Sequence, residues 1–156
     1  MNNKINENKN ENEIRAQALQ HFSADMKGKL EQSKIDEICK EVILGERNYL
    51  DNGYLSITSY IFYTSLELTL SSNFFFQGQG NSLGTPGVGS YWGKLYARDF
   101  NKLRANKDSF WCNSSPAIVT VLFFDKNNKI LGFFAGAGIS TVVSGTSGTG
   151  SWSDIQ

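Results

Sequence analysis

The stretch 116–152, PAIVTVLFFDKNNKILGFFAGAGISTVVSGTSGTGSW, restricts the fold more than any other part of the chain. Its first arm, Ala117 to Phe124, is rich in β-branched and aromatic residues, which suit a pleated strand. Asp125 to Asn128 supply a polar turn in which Asn tolerates positive φ. From Lys129 to Val143 the residues alternate. Leu131, Phe133, Ala135, Ala137 and Ile139 face one way, while Ile130, Gly132, Phe134, Gly136 and Gly138 face the other, as a period of two requires. The stretch therefore predicts a long β-hairpin. One of its faces is thinned by glycines, which let a strand bend or a second backbone approach, as closure of a small sheet demands.

The rest of the chain fits around such a hairpin. Tyr54–Thr64 and Ser65–Phe76 read as strands, or as one strand with a sharp bend, with Leu66, Leu68 and Leu70 inward and Glu67 and Thr69 outward. Asp51, Asn52 and Gly53 form a turn signal before them. The glycine-rich segment Gln77–Ser90 reads as a long loop, and Ser144–Gly150 as a glycine turn. Tyr91–Ala97 is a further strand with Trp92, Lys94 and Tyr96 on one face. Asp99–Asn106 predicts one helical turn with Asp99 as its N-cap, and a strand begins at Asp108. Trp152 is placed to plug one end of the sheet. Seven or eight short strands in about 105 residues predict a mainly β domain, an antiparallel sandwich or barrel, over 46–156.

The first 45 residues differ. Residues 1–10 are Asn, Lys and Glu, too polar to offset their ordering entropy, and predict disorder. From Glu11 to Leu44 an amphipathic helical pattern takes over, with Ile14, Ala18, Phe22 and Met26 four apart. Gly28 interrupts it, Ser33 opens a second run through Ile35, Ile38 and Val42, and Gly45 stops it. The start holds no apolar run of the kind a signal peptide or membrane anchor needs, which leaves retention in the cytoplasm, export by another route, or a signal already removed.

Chemistry is sparse. The 15 basic and 15 acidic residues cancel, so no global field draws nucleic acid, and none is expected as a partner. The one histidine, His21, lies in the helical arm, away from any nucleophile of the β domain. Cys39 and Cys112 either form one disulfide or stay as buried thiols, and with His21 they lack metal-ligand spacing. GQGNSLG and GVGSYWG are one residue too long for a dinucleotide fingerprint. Of the β-domain carboxylates, Glu67, Asp99, Asp108 and Asp125, Glu67 points outward and Asp125 sits in a turn. The sequence thus predicts neither catalysis nor a cofactor nor a metal. What rises above background is a run of basic residues among aromatics, with Trp92, Lys94, Tyr96, Arg98, Lys102, Arg104 and Lys107 as binding candidates for anionic lipid or a protein partner. The alternative is that the aromatics are core and the charges solvated.

The residues LFFDKNNKILGFFAGAGISTVVSGTSGTGSW resemble the bacterial virulence-associated (Vap) proteins. The likeness is carried by Phe123, Phe124 and Asp125, by Leu131 and Gly132, by Ser140, Thr141 and Val142, and by the glycines that precede Trp152. GKLYARDFNKLRANKDSF, Gly93 to Phe110, is similar to the segment upstream in that family. The resemblance implies a compact eight-stranded antiparallel Greek-key β-barrel with one short helix. It further implies a secreted, non-catalytic protein that acts on host phagosomal or endolysosomal membranes or on a host protein. A small binding module presenting the Gln77–Ser90 loop is the competing expectation.

Overall fold

The computed structural model describes residues 13, 16–44, 49–105 and 107–155. The expected disorder of residues 1–10, the place of Ile14 in the helical series and the stop at Gly45 lie outside them. The chain divides into two units between Gly45 and Glu46. In the first, helix α1 (16–26) is followed by a turn at Gly28, whose φ of +86° suits glycine, and by helix α2 (Gln32–Leu44). Ser33 lies inside α2 and does not cap it. The backbone carbonyl of Glu31 accepts from Lys34 and Ile35 N–H, so the helix starts two residues earlier than a Ser33 cap predicts. Phe22, Ile35 and Ile38 are buried, as their helical spacing requires.

The second unit is a closed antiparallel barrel. Its strands are β1 (Tyr49–Ser59), β2 (Tyr63–Leu70), β3 (Phe74–Gly84), β4 (Gly87–Ala97), β5 (Asp108–Ser114), β6 (Ile118–Phe124), β7 (Ile130–Ser140) and β8 (Ser144–Asp154). Around the barrel the order is β1-β2-β3-β8-β5-β6-β7-β4. Strand β4 lies beside β1 and β8 beside β5, so each half follows the order by which a Greek key is defined. Closure leaves no unpaired edge. The β6–β7 hairpin is the one the sequence predicts, ending at Ser140. Its turn is held by Asp125 Oδ1, which accepts from Asn127 and Lys129 N–H at 2.8 and 2.9 Å, with Asn128 at φ +61°.

Three expectations about turns are corrected. Asp51–Gly53 lies within β1, Gln77–Ser90 runs through the end of β3 and the start of β4 with only Thr85 and Pro86 between, and Ser144–Gly150 is the first part of β8. The glycines sit in strands because neighbouring strands crowd them. A Cβ on Gly93 would lie 2.0 Å from the Ala135 carbonyl oxygen, and one on Gly148 would lie 2.0 Å from that of Gln79. With its supposed loop folded into sheet, the loop-presenting module loses its recognition element.

The barrel is filled. Leu55, Leu66, Leu68, Phe76, Val121 and Phe134 are among the side chains that pack its interior. Trp152 closes one end over Phe76 and Phe123, with ring centroids 5.2 and 5.7 Å away, and Val142 is fully buried at the other. Helix α3 (Phe100–Ala105) joins β4 to β5 and buries Phe100 and Leu103. Asp99 caps it as predicted: its Oδ1 accepts from Asn101 N–H at 3.0 Å and Lys102 N–H at 3.3 Å. Asp99→Ala should cost about 1 kcal/mol, read as a fall in the urea midpoint at unchanged slope. No change in midpoint would mean that packing of Phe100 and Leu103 holds α3 without its cap.

Candidate functional site

Antiparallel pairing puts the loops of the barrel into two groups. One end carries the β2–β3 turn, α3, the β6–β7 turn and the chain ends of β1 and β8; the opposite end carries the β1–β2, β3–β4, β5–β6 and β7–β8 loops. Charge is divided between these ends very unevenly. The runs 52–66, 68–93, 109–124 and 130–153 contain no Asp, Glu, Lys or Arg, and each run brackets one loop of the second end.

At the charged end, the basic candidates do not form one patch. Arg98 and Lys102 line an open depression of about 630 Å³ together with Lys129, Asp99 and Asp125. Arg104 lines a different depression. It lies 4.7 Å from the centre of the Phe74 ring and 4.0 Å from Asp154 Oδ1, so it is already engaged within the barrel. Lys107 is exposed. Lys94 and Trp92 stand on the outer wall of β4, Trp92 with 59% of its surface exposed, while Tyr96 is buried and its ring stacks on Phe133 at 4.8 Å. Tyr96 is therefore unavailable as a contact residue. Of the other aromatics interleaved with these charges, Tyr91, Phe100, Phe110 and Trp111 are buried too.

At the charge-free end, large apolar side chains project into solvent. Tyr60, Ile61, Phe62 and Tyr63 form the tip of the β1–β2 hairpin, with Phe62 69% exposed, and Val88, Val143 and Ile139 stand on the neighbouring strands and loops, Ile139 82% exposed. Register places Val88 opposite Thr58, and Ile139 opposite Ser90, which in turn faces Ser56. The uncharged surface continues up the wall to Tyr54 and Trp92, whose rings are 5.3 Å apart. Inside the same end, hydroxyls pair with one another, Thr64 with Ser82 at 2.6 Å and Ser114 with Ser144 at 3.2 Å, and the Tyr91 hydroxyl donates to the Ser115 carbonyl at 2.6 Å. Burial raises the Tyr91 pKa above its ordinary value, so this phenol stays neutral. The rim is thus apolar outside and held inside by neutral hydrogen bonds, with the hydroxyls of Ser59 and Thr146 left buried without a partner among the described residues. Reading the sequence segment by segment missed this face, although the four uncharged runs were its signal.

One carboxylate is set apart. Asp108, at the start of β5, is 1% exposed; its Oδ2 accepts from Trp152 Nε1–H at 3.0 Å, and its Oδ1 has no hydrogen-bond partner. Burial pushes its pKa up to about 7, the Trp152 bond opposes that, and the charge of Asp125 adds to it. Sealed beneath Trp152, it lines neither depression. Both cysteines are free thiols. Burial pushes Cys112 up to about 12, which leaves it inert, and Cys39 Sγ lies 3.4 Å from Ser23 Oγ. Among the described residues no group of three or more His, Cys, Asp or Glu is placed to hold a metal.

The sequence and the barrel have counterparts in known proteins. Residues 5–153 match the family model described as Rhodococcus equi virulence-associated protein. The structure of VapD from the intracellular pathogen Rhodococcus equi is similar, with a TM-score of 0.66 at 26% identity, over 69% of this chain and all of that one. VapB from the same pathogen is similar with a TM-score of 0.61 at 25% identity, over 68% of this chain and 97% of that one. No curated protein matches. With nearly its whole length matched and its barrel shared with two solved relatives, the chain belongs to the Rhodococcus equi virulence-associated protein family.

Proposed function

We propose that this protein is secreted and acts without catalytic turnover, by contact between the charge-free end of its barrel and a host phagosomal or endolysosomal membrane. The observation that carries the reading is the concentration of exposed Tyr60, Ile61, Phe62, Val88, Ile139 and Val143 at the end that has no charge. An exposed apolar patch of this kind is unfavourable in water and is a mark of an interaction surface. Family membership supports the virulence role. The non-catalytic part is supported by the placement of the carboxylates, with Glu67 outward on β2 and Asp108 sealed in the core.

The test is co-sedimentation of the full chain with vesicles, with and without anionic lipid, at neutral and acidic pH. Binding to zwitterionic phosphatidylcholine vesicles is expected, and it should persist when salt is raised from about 50 mM to about 500 mM, since screening weakens contacts between charges and leaves apolar ones. Binding that requires anionic lipid and vanishes in high salt would move the contact to the Arg98–Lys102–Lys129 depression. Failure to bind either kind of vesicle at either pH would overturn membrane action and direct the search to a host protein.

A further inference from the structure

The charge-free end is not uniform. Its one run of consecutive exposed apolar side chains among the described residues is the β1–β2 tip, Tyr60 to Tyr63, and that tip is tied by hydrogen bonds. Tyr60 N–H donates to the Tyr63 carbonyl at 2.7 Å, closing the turn, and Ser82 N–H donates to the Phe62 carbonyl at 3.0 Å, tying the turn to β3. The Tyr63 hydroxyl donates to Gln79 Oε1, and the Tyr60 and Tyr63 rings lie 5.8 Å apart. Within this frame Ile61 is held at φ +82°, a conformation unfavourable for a β-branched residue. Isoleucine is an unexpected choice for such a position. Glycine or asparagine would relieve the backbone, so the aliphatic side chain is retained there at a cost in folding, in water-exposed surroundings where it contributes no core packing.

We infer that the Tyr60–Tyr63 tip is a preformed wedge that enters a bilayer of headgroups without net charge, with Ile61 and Phe62 reaching the acyl boundary and the two tyrosines at headgroup level. The inference rests on the membrane reading above and adds to it the inserted element, its orientation and the class of lipid. Three features select this occupant. Tyrosines flanking aliphatic and aromatic side chains match the polarity gradient of a bilayer interface, apolar toward the chains and hydrogen-bonding toward the headgroups. No charge stands on the four loops of this end, so nothing here attracts an anionic surface or must be desolvated on entry. The hydrogen-bonded turn needs no reordering, so little entropy is lost on insertion. Val88, Val143 and Ile139 then rest at the surface beside the wedge, and the charged end points to water.

The experiment places an environment-sensitive fluorophore on the full chain at Phe62→Cys, and in a parallel protein at Lys126→Cys on the opposite end, both with Cys39→Ser. The buried thiol of Cys112 stays unlabelled. With phosphatidylcholine vesicles the label at 62 is expected to shift to the blue and to be quenched by nitroxides on the acyl chains, and the label at 126 to report water. Unlabelled Phe62→Ser, at a position outside the core, is expected to keep its circular dichroism and to lose vesicle affinity by roughly tenfold to a hundredfold, the burial of one phenyl ring. If the chain co-sediments with vesicles while the label at 62 stays in water, the wedge is overturned and membrane action survives. If the chain does not bind vesicles at all, both fall. A blue shift that grows with protein concentration in vesicle-free buffer assigns the tip to contacts between copies and likewise overturns the inference.

Discussion

Taking the protein from about pH 8 to about pH 4 should add about 4 kcal/mol to the folding stability through Asp108 alone, since each unit of pKa shift is worth about 1.4 kcal/mol. Its carboxyl titrates near 3.8 when unfolded and at about 7 in the barrel. Between those values the folded chain holds a proton that the unfolded chain has released. The contribution is therefore complete below the unfolded value, declines as pH rises, and is gone once pH passes the folded one. The cause is local: a carboxylate buried beside the core has one hydrogen bond, from Trp152, and an oxygen with none, and the charge of Asp125 disfavours ionisation further. Asp108→Asn keeps the acceptor for Trp152 and removes the titration. Urea midpoints of wild type and variant should converge under acid conditions, and the variant should be the more stable by several kcal/mol above pH 8. A difference that does not vary with pH would show that Asp108 stays ionised in the folded barrel. For a protein proposed to work in a phagosome, the sign favours the acidic compartment.

Phe76→Ala should cost about 3–5 kcal/mol, the usual range for removing a fully buried phenyl ring. Phe76 has no exposed surface and lies at the centre of an aromatic group, with Phe110, Phe123 and Trp152 at 6.1, 5.0 and 5.2 Å between ring centroids. The first two contacts are edge-on, at 87° and 85°, the geometry that aromatic quadrupoles favour. Its space exists because Gly78, two residues on, has no side chain: a Cβ there would lie 2.9 Å from the Phe76 ring and 2.8 Å from Phe110. Gly78→Ala alone should therefore destabilise through overpacking, and should cost less in the Phe76→Ala background. A coupling of about 1 kcal/mol is expected from a double-mutant cycle of urea midpoints. Strict additivity would mean that the two positions do not share space. Because Trp152 rests on Phe76 and also donates to Asp108, the alanine variant should also shift the acid dependence described above.

Strand content, the β6–β7 hairpin and the Asp99 cap were all readable from the sequence because each is a local pattern: alternation, turn chemistry, or an acceptor one residue before a helix. Leu66, Leu68 and Leu70 alternate inward for the same reason, and the family resemblance rested on residues close together in the chain. Local reading failed where the partner was distant. Glycines in 77–90 and 144–150 look like turns by themselves, and it takes pairing of β3 with β8 to show that facing backbones leave no room for a Cβ. Spacing put Arg98, Lys102 and Arg104 in one basic cluster, yet α3 directs Arg104 to Phe74 and Asp154 and directs Lys102, with Arg98 from the bend before the helix, to a separate depression. The burial of Asp108 depends on Trp152, 44 residues later. The charge-free end is the clearest case. Sequence alone determined that four long runs lack charge, because composition is a property of the chain. That their loops meet at one end, with Phe62, Val88, Val143 and Ile139 facing outward together, was decided only by the closed antiparallel barrel, whose long-range strand pairing sets which loops become neighbours.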